Sequence, residues 1–165
     1  MSKNTEVLID GLTFTEGPRW HESKLYFSDF FTQRVLAVNI EGHLETIVKT
    51  PHQPSGLGWR PDGSMLIVSM NDQKLLRFAN GELTEAADLS NLANHYCNDM
   101  VVDKKGNAYV GNFGFDLHAG EAIKPTNLIL IRPGEEACEV AENVFFPNGT
   151  AVSYTHLTLP TILLV

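Results

Sequence analysis

Three short segments each carry an oxygen-bearing side chain just before the start of a predicted strand. These side chains are Glu16 in EGPRW, Asn98 in CNDMVVD and Asn148 in FPNGTA. Carboxylate and amide oxygens are the ligands that a hard divalent cation such as Ca²⁺ prefers. Each segment also has a plainer interpretation, because Glu-Gly-Pro and Asn-Asp are common in turns and Asn-Gly favours a hairpin. Their shared position in a repeat is what favours a metal site over these turn interpretations.

Other kinds of catalytic or metal centre find little support in the sequence. The histidines are scattered without paired spacing: His21, His43, His52, His95, His118 and His156. Cys97 and Cys138 show no metal-type spacing, so free thiols are favoured over a disulfide, which stays open. No Gly-X-Ser-X-Gly elbow and no glycine-rich phosphate loop occurs. These patterns argue against zinc, serine-hydrolase and nucleotide sites.

The elements that must position the three side chains repeat along the chain. Short alternating strands separated by turn residues recur in three rounds, and the residues Trp20, Trp59 and Val102 occupy the same place in each round. Val152 begins a fourth round, after a polar insertion over 116–127. A repeat of about 40 residues with four short strands is typical of β-propeller blades.

The sequence therefore predicts an all-β fold, part of a β-propeller with about three blades plus one first strand. Each blade must pack on its neighbours to bury both faces. Because Glu16, Asn98 and Asn148 hold equivalent positions in successive blades, we expect their oxygens to converge on the propeller axis.

Composition narrows the choice of partners and location. The chain has 165 residues, of which 43% are hydrophobic, and a formal charge of −8. This acidity disfavours nucleic acid and anionic membrane surfaces as partners. The polar start over 1–10 does not predict a signal peptide, and no apolar run is long enough for a membrane helix. We expect a soluble, cytoplasmic protein, with the oligomeric state left open.

The last thirteen residues differ from the rest. Residues 153–165 contain no charge, no glycine and no turn of the Pro61-Asp62-Gly63 type. They resemble the translation of a sequencing adaptor joined to a truncated reading frame, although a natural apolar tail is the alternative. The prediction is an incomplete propeller domain over 1–152 followed by a non-native tail over 153–165.

Four ordered motifs resemble those of the SMP-30/gluconolactonase family of sugar lactone lactonases. They are EGPRW, PSGLG followed by PDG, CNDMVVD followed by GNAYVGNFGFD, and FPNG, and the resemblance covers nearly everything from Leu8 to Ala151 in the same order. The resemblance implies a six-bladed propeller of which this chain is the N-terminal half. It also implies one divalent metal in the central channel, with Ca²⁺ expected and Zn²⁺ or Mn²⁺ as alternatives.

The resemblance assigns roles to individual residues. Glu16 and Asn148 would be metal ligands, and Asn98 would bind the substrate or complete the coordination shell. Tyr96 stands where the family has a substrate-binding arginine, so sugar-lactone specificity is in question. Tyr96 and Asp116 lie near these motifs in sequence and are expected to help shape the substrate pocket, with surface roles as the alternative. The aspartate that serves the family as general base lies in a later blade and has no counterpart here.

The implied reaction is hydrolysis of a small-molecule lactone by the complete protein. The isolated half ring is expected to be unstable and inactive, because it leaves blade faces bare and lacks the general base. Two alternatives are a non-enzymatic propeller that binds a protein through its rim and a strictosidine-synthase-like propeller that needs no metal carboxylate.

Overall fold

The computed structural model describes residues 5–152, which form twelve β-strands and no helix. This part of the chain therefore has no helix that could cross a membrane. The strands make three four-stranded antiparallel sheets, each a meander of consecutive strands. The prediction of an all-β propeller fragment is confirmed.

Each sheet is one blade, numbered in chain order. Blade 1 consists of β1 (Thr15–His21), β2 (Lys24–Asp29), β3 (Arg34–Val38) and β4 (Leu44–Lys49). Blade 2 consists of β5 (Pro54–Trp59), β6 (Met65–Ser69), β7 (Lys74–Ala79) and β8 (Glu82–Asp88). Blade 3 consists of β9 (Cys97–Val102), β10 (Ala108–Asn112), β11 (Thr126–Ile131) and β12 (Cys138–Val144).

Turn chemistry explains why each chain segment reverses where it does. Asn80 and Gly81 both have positive φ, 53° and 80°, as a type I′ hairpin turn requires. Gly63 ends the Pro61-Asp62-Gly63 turn with φ 81°, a conformation that side chains with a Cβ rarely adopt. These two turns thus form where their residue types favour them.

Two apolar layers hold the blades together. Val35 and Ala37 of blade 1 pack with Leu57 and Ile67 of blade 2, and all four are fully buried. A second layer joins blade 2 to blade 3, and its fully buried members are Leu66, Val68, Leu75, Leu89, Cys97, Met100, Ala108, Val110 and Ile129. Burial of one such Leu or Ile side chain contributes about 1.5–3 kcal/mol. The blades are therefore stabilised mainly by their neighbours.

The first strands β1, β5 and β9 lie side by side and are the innermost strands of the three blades. Glycine allows their close approach. A Cβ on Gly17 would lie 2.7 Å from the Ser55 carbonyl oxygen, and one on Gly56 would lie 2.3 Å from the Met100 nitrogen. Neither position leaves room for any side chain, so the innermost strands meet backbone to backbone.

The structure corrects two details of the sequence prediction. β1 and β9 begin earlier than expected, so Glu16 and Asn98 lie within their strands rather than before them. The predicted fourth innermost strand over 149–152 is not formed. A strand needs a hydrogen-bonded partner, and no described residue pairs with this segment. The predicted tail, 153–165, lies outside the described residues.

The two cysteines are free thiols, as favoured by the sequence. Cys97 is buried in β9, the innermost strand of blade 3, and Cys138 begins β12, the outermost strand. Burial raises the pKa of the Cys97 thiol to about 12, so this side chain behaves as a small apolar residue of the core.

Asp29 fixes the entry of the chain into β1. Its side chain is completely buried and accepts hydrogen bonds from the backbone and hydroxyl of Thr13, the Phe14 N–H and the Thr32 hydroxyl. Arg34 donates to it over 3.1 Å. Burial pushes the pKa of Asp29 upward, but these hydrogen bonds outweigh it and hold the pKa well below its ordinary value.

The protein is therefore expected to lose stability in acid through Asp29. Because the folded-state pKa is depressed, the contribution is complete above the unfolded-state pKa of about 3.9 and is lost as pH falls through the folded-state value. In the complete protein, Asp29→Asn should lower the free energy of unfolding at pH 7 by about 2 kcal/mol and flatten its decline below pH 4, measured by urea unfolding. Asp10→Asn, at an exposed position, is the control and should change neither quantity. An unchanged acid limb in Asp29→Asn would contradict the assignment.

Candidate functional site

The three innermost strands share one irregularity, and it falls at the predicted site residues. In blade 1, β1 advances three residues between the pairs Glu16↔Ser28 and Arg19↔Tyr26, while β2 advances two. β5 has the same one-residue bulge after Pro54, and β9 has it after Cys97. A bulge turns the side chains beside it out of the regular alternation, and bulges are frequent next to active sites.

The bulges stack beside one another around the inner edge of the half ring. Gly17 contacts Ser55 and Gly56, and Gly56 in turn contacts the backbone of Asp99 and Met100. The strand starts that carry the candidate oxygens therefore follow one another from blade 1 to blade 3, as the repeat predicts.

Asn98 lies next to the segment that carries Asn148. Asn98 is 6% exposed, and its Nδ2 donates to the Pro147 carbonyl over 3.4 Å. A Cβ on Gly111 would lie 2.6 Å from the same carbonyl, so 147–148 is seated against blade 3. The structure thus brings Asn98 and the peptide before Asn148 together, and Asn148 itself is exposed.

Glu16 is half-buried, and its carboxylate makes no hydrogen bond or ion pair with any residue in 5–152. It borders a cavity of about 300 Å³ on the free face of blade 1, whose other walls include Leu12, Leu25 and Phe27. A carboxylate held next to apolar side chains without a partner is available to a cation.

Sequence reasoning missed two features of the inner edge. Ser55 holds the position in blade 2 that Glu16 holds in blade 1, is 1% exposed, and has an Oγ without a hydrogen-bond partner in the described chain. Arg19 of β1 reaches past blade 2 and donates to Asp99 Oδ1 of blade 3 over 2.8 Å. The repeat alignment could have found Ser55, but no local signal pairs Arg19 with Asp99.

Tyr96 and Asp116 lie on one surface of blade 3 and are linked through His95. The His95 ring lies 4.3 Å from the Tyr96 ring, and its Nε2 lies 3.9 Å from Asp116 Oδ2. Asp116 Oδ1 accepts the Ala119 N–H, and this backbone bond is the main cause that lowers the pKa of Asp116, with a smaller contribution from His95. Asp116 thus has a structural task in its own loop.

The donor set fits a hard cation better than a zinc ion. It consists of one partnerless carboxylate and two amides, of which Asn98 uses its nitrogen and leaves its Oδ1 without a partner within 5–152. In the same range no three His, Cys, Asp or Glu side chains gather as a ligand group. Convergence of the Glu16, Asn98 and Asn148 oxygens on a single ion stays a prediction.

Residues 14–159 match the family model of the SMP-30/gluconolactonase/LRE-like region. The chain belongs to this family. The match spans all three blades and includes Glu16, Asn98 and Asn148, in agreement with the motifs read from the sequence. No curated protein matches the chain.

Solved structures show that members of the SMP-30/gluconolactonase family and this chain share a fold. A gluconolactonase of Xanthomonas campestris superposes with a TM-score of 0.68 at 18% identity, over 82% of this chain and 49% of its own. A protein proposed to be a gluconolactonase superposes with a TM-score of 0.69 at 21% identity, over 86% of this chain and 53% of its own. The calcium-binding protein regucalcin of Agrobacterium tumefaciens superposes with a TM-score of 0.65 at 20% identity, over 84% of this chain and 46% of its own.

The chain thus spans about half the length of the structures it matches. Three blades are half of a six-bladed ring, which agrees with the expected architecture. At these identities the likeness extends to the fold and not to the reaction.

Proposed function

We propose that the complete protein carrying these three blades is a metal-dependent lactone hydrolase. The observation that carries the proposal is the partnerless Glu16 carboxylate at the β1 bulge, followed along the inner edge by Asn98, which contacts the peptide before Asn148. Family membership supports the reaction class, and a gluconolactonase and a calcium-binding protein among the structural relatives support the substrate class and Ca²⁺.

In this proposal, Glu16 and Asn148 hold the cation, for which Zn²⁺ or Mn²⁺ are the alternatives to Ca²⁺. When bound, a divalent cation supplies Lewis-acid polarisation of the lactone carbonyl. Asn98 Oδ1 is left to complete the ligand set, and the second Nδ2 hydrogen is left to donate to a lactone oxygen and orient the substrate; its buried position against Pro147 keeps the amide fixed.

Hydrolysis needs only the lactone and water as reactants. Water adds to the carbonyl carbon, the ring C–O bond breaks, and the ring oxygen leaves as a hydroxyl to give a hydroxy acid. The proton of the attacking water needs a general base, which we assign to the part of the ring beyond these three blades. The three-blade chain is then expected to be inactive, because a general base contributes about a hundredfold or more in rate.

Removal of the metal tests the proposal. The complete gene product should hydrolyse a δ-lactone, and treatment with EDTA followed by desalting should lower the rate by about a hundredfold or more, measured by acid release in a pH-stat. Ca²⁺ should restore the rate, and parallel additions of Mn²⁺ and Zn²⁺ rank the three metals. The control is the same protein desalted without EDTA.

Two results would contradict the proposal. Full activity after metal removal would favour a propeller that needs no metal carboxylate. A folded, metal-replete protein that hydrolyses no lactone would favour a non-enzymatic binding propeller.

A further inference from the structure

The rim on which the innermost strands begin carries two clusters of aromatic side chains. The blade-1 cluster consists of Phe14, Phe30 and Phe31, with ring centroids 5.6–6.2 Å apart. The blade-3 cluster consists of Tyr96, Phe113 and Phe146, in which Phe113 lies 6.3 Å from Tyr96 and 4.8 Å from Phe146.

The same backbone contact places both clusters at the same end of their blades. Phe30 N–H donates to the Phe14 carbonyl and Phe113 N–H donates to the Tyr96 carbonyl, each over 2.9 Å. The equivalent bond in blade 2 joins Met70 to Gln53. Phe14 and Tyr96 each stand two residues before a site residue, Glu16 and Asn98 respectively. The aromatic rings therefore border the entrance to the predicted site.

The blade-3 cluster is continuous with the site itself. Phe146 stands two residues before Asn148, and the Pro147 carbonyl between them accepts the Asn98 side chain. Phe113 is 8% exposed and supports the half-buried rings of Tyr96 and Phe146. On the blade-1 side, Phe14 is 52% exposed and Phe31 is 66% exposed.

The two arginines near this rim are already paired with carboxylates. Arg34 beside the blade-1 cluster is paired with Asp29 at 3.1 Å, and Arg19 on the inner edge is paired with Asp99 at 2.8 Å. The blade-3 cluster faces His95 and His118, and Asp116 lies beside His95. Tyr96 stands two residues before Asn98 and Phe146 precedes the Pro147 whose carbonyl Asn98 contacts, so these two rings offer apolar surface beside Asn98.

We infer that the lactone carries an apolar alkyl or aryl substituent, rather than the polyhydroxylated chain of a sugar lactone. This inference rests on the proposed lactonase activity and names its substrate class. The lactone ring would lie at Asn98 and the metal ligands, and its substituent would pack on Tyr96 and Phe146. Apolar contact of a few methylene groups can raise kcat/KM by about ten- to two-hundredfold.

Three lactones of one ring size test the inference with the metal-replete complete gene product. They are δ-valerolactone without a substituent, δ-nonalactone with a butyl substituent, and glucono-δ-lactone. We expect kcat/KM for δ-nonalactone to exceed each of the others by about tenfold or more. A preference for glucono-δ-lactone would overturn the inference and leave the lactonase proposal standing. If no lactone is hydrolysed, the proposed function fails, and the inference fails with it.

Variants locate the preference in the aromatic rim. Tyr96→Ala and Phe146→Ala should each lower the ratio of kcat/KM for δ-nonalactone over δ-valerolactone by about fivefold or more. Tyr96→Phe keeps the ring and should keep the ratio, as should Leu44→Ala at an exposed site on the outermost strand of blade 1. If an alanine variant does not fold, Phe146→Leu replaces it and should lower the ratio by a smaller factor. An unchanged ratio in both folded alanine variants, Tyr96→Ala and Phe146→Ala, would overturn the placement of the substituent.

Discussion

Replacement of Glu16 by glutamine is expected to lower kcat/KM of the complete protein by about a hundredfold or more. Glu16 supplies the one carboxylate among the three side chains expected to converge at the site, and it has no protein partner among residues 5–152 that would hold it for a structural reason. The amide of glutamine keeps the shape and removes the charge that binds a hard cation. Calcium affinity measured by isothermal titration should fall in parallel with the hydrolysis rate.

Glu22→Gln is the matched control for this experiment. Its side chain is 80% exposed and lies in the turn that follows β1, at the opposite end from Glu16. The substitution removes the same charge away from the predicted site, so the hydrolysis rate and the calcium affinity should stay within about twofold of the wild type. Unchanged turnover in a folded Glu16→Gln variant would refute the ligand assignment, because no other carboxylate of these blades is predicted to replace it.

Replacement of Gly56 by alanine is expected to destabilise the complete protein by about 3 kcal/mol or more. The added Cβ would lie 2.3 Å from the Met100 nitrogen and 2.8 Å from the Asp99 carbonyl carbon, both backbone atoms of the neighbouring innermost strand. Backbone cannot move aside as a flexible side chain can, so β5 and β9 must separate and lose part of the packing between blades 2 and 3. The free energy of unfolding, measured by urea denaturation, gives the effect.

Gly81→Ala separates this packing cost from the general cost of removing a glycine. Gly81 has φ 80° and nothing within 4 Å of an added Cβ, so its replacement strains only the backbone and should cost about 1 kcal/mol. If Gly56→Ala costs no more than Gly81→Ala, the innermost strands are not in the close contact described. Since Asn98 is next to Asp99, Gly56→Ala should also weaken calcium binding.

The repeat and the turns could be predicted from the sequence for physical reasons. Alternation of apolar and polar residues fixes which faces of a strand are buried, and pairs such as Asn80-Gly81 reverse the chain with little regard to distant contacts. The repeat then gave the equivalence of Glu16 and Asn98, because residues at the same place in successive blades must occupy the same place in the ring.

The sequence placed Glu16 and Asn98 in turns before their strands, whereas both residues lie inside the strands. The reason is the bulge: one extra residue on the innermost strand breaks the alternation by which a strand is recognised, so the visible pattern begins only after it. The bulge in β1 shows itself only when Glu16 and Arg19 are matched to their partners in β2, which is a property of strand pairing.

The contacts between blades were decided by the tertiary structure alone. Arg19 and Asp99 are separated by eighty positions, and nothing near either residue indicates the other. The aromatic rim has the same origin, since Tyr96, Phe113 and Phe146 come from separate segments of blade 3 and meet only when the sheet is formed. The strands and turns are determined by the pattern of residue types along the chain, because each of them depends mainly on residues that are neighbours in sequence. The entrance to the site is set by side chains from distant segments, so only the folded chain defines it.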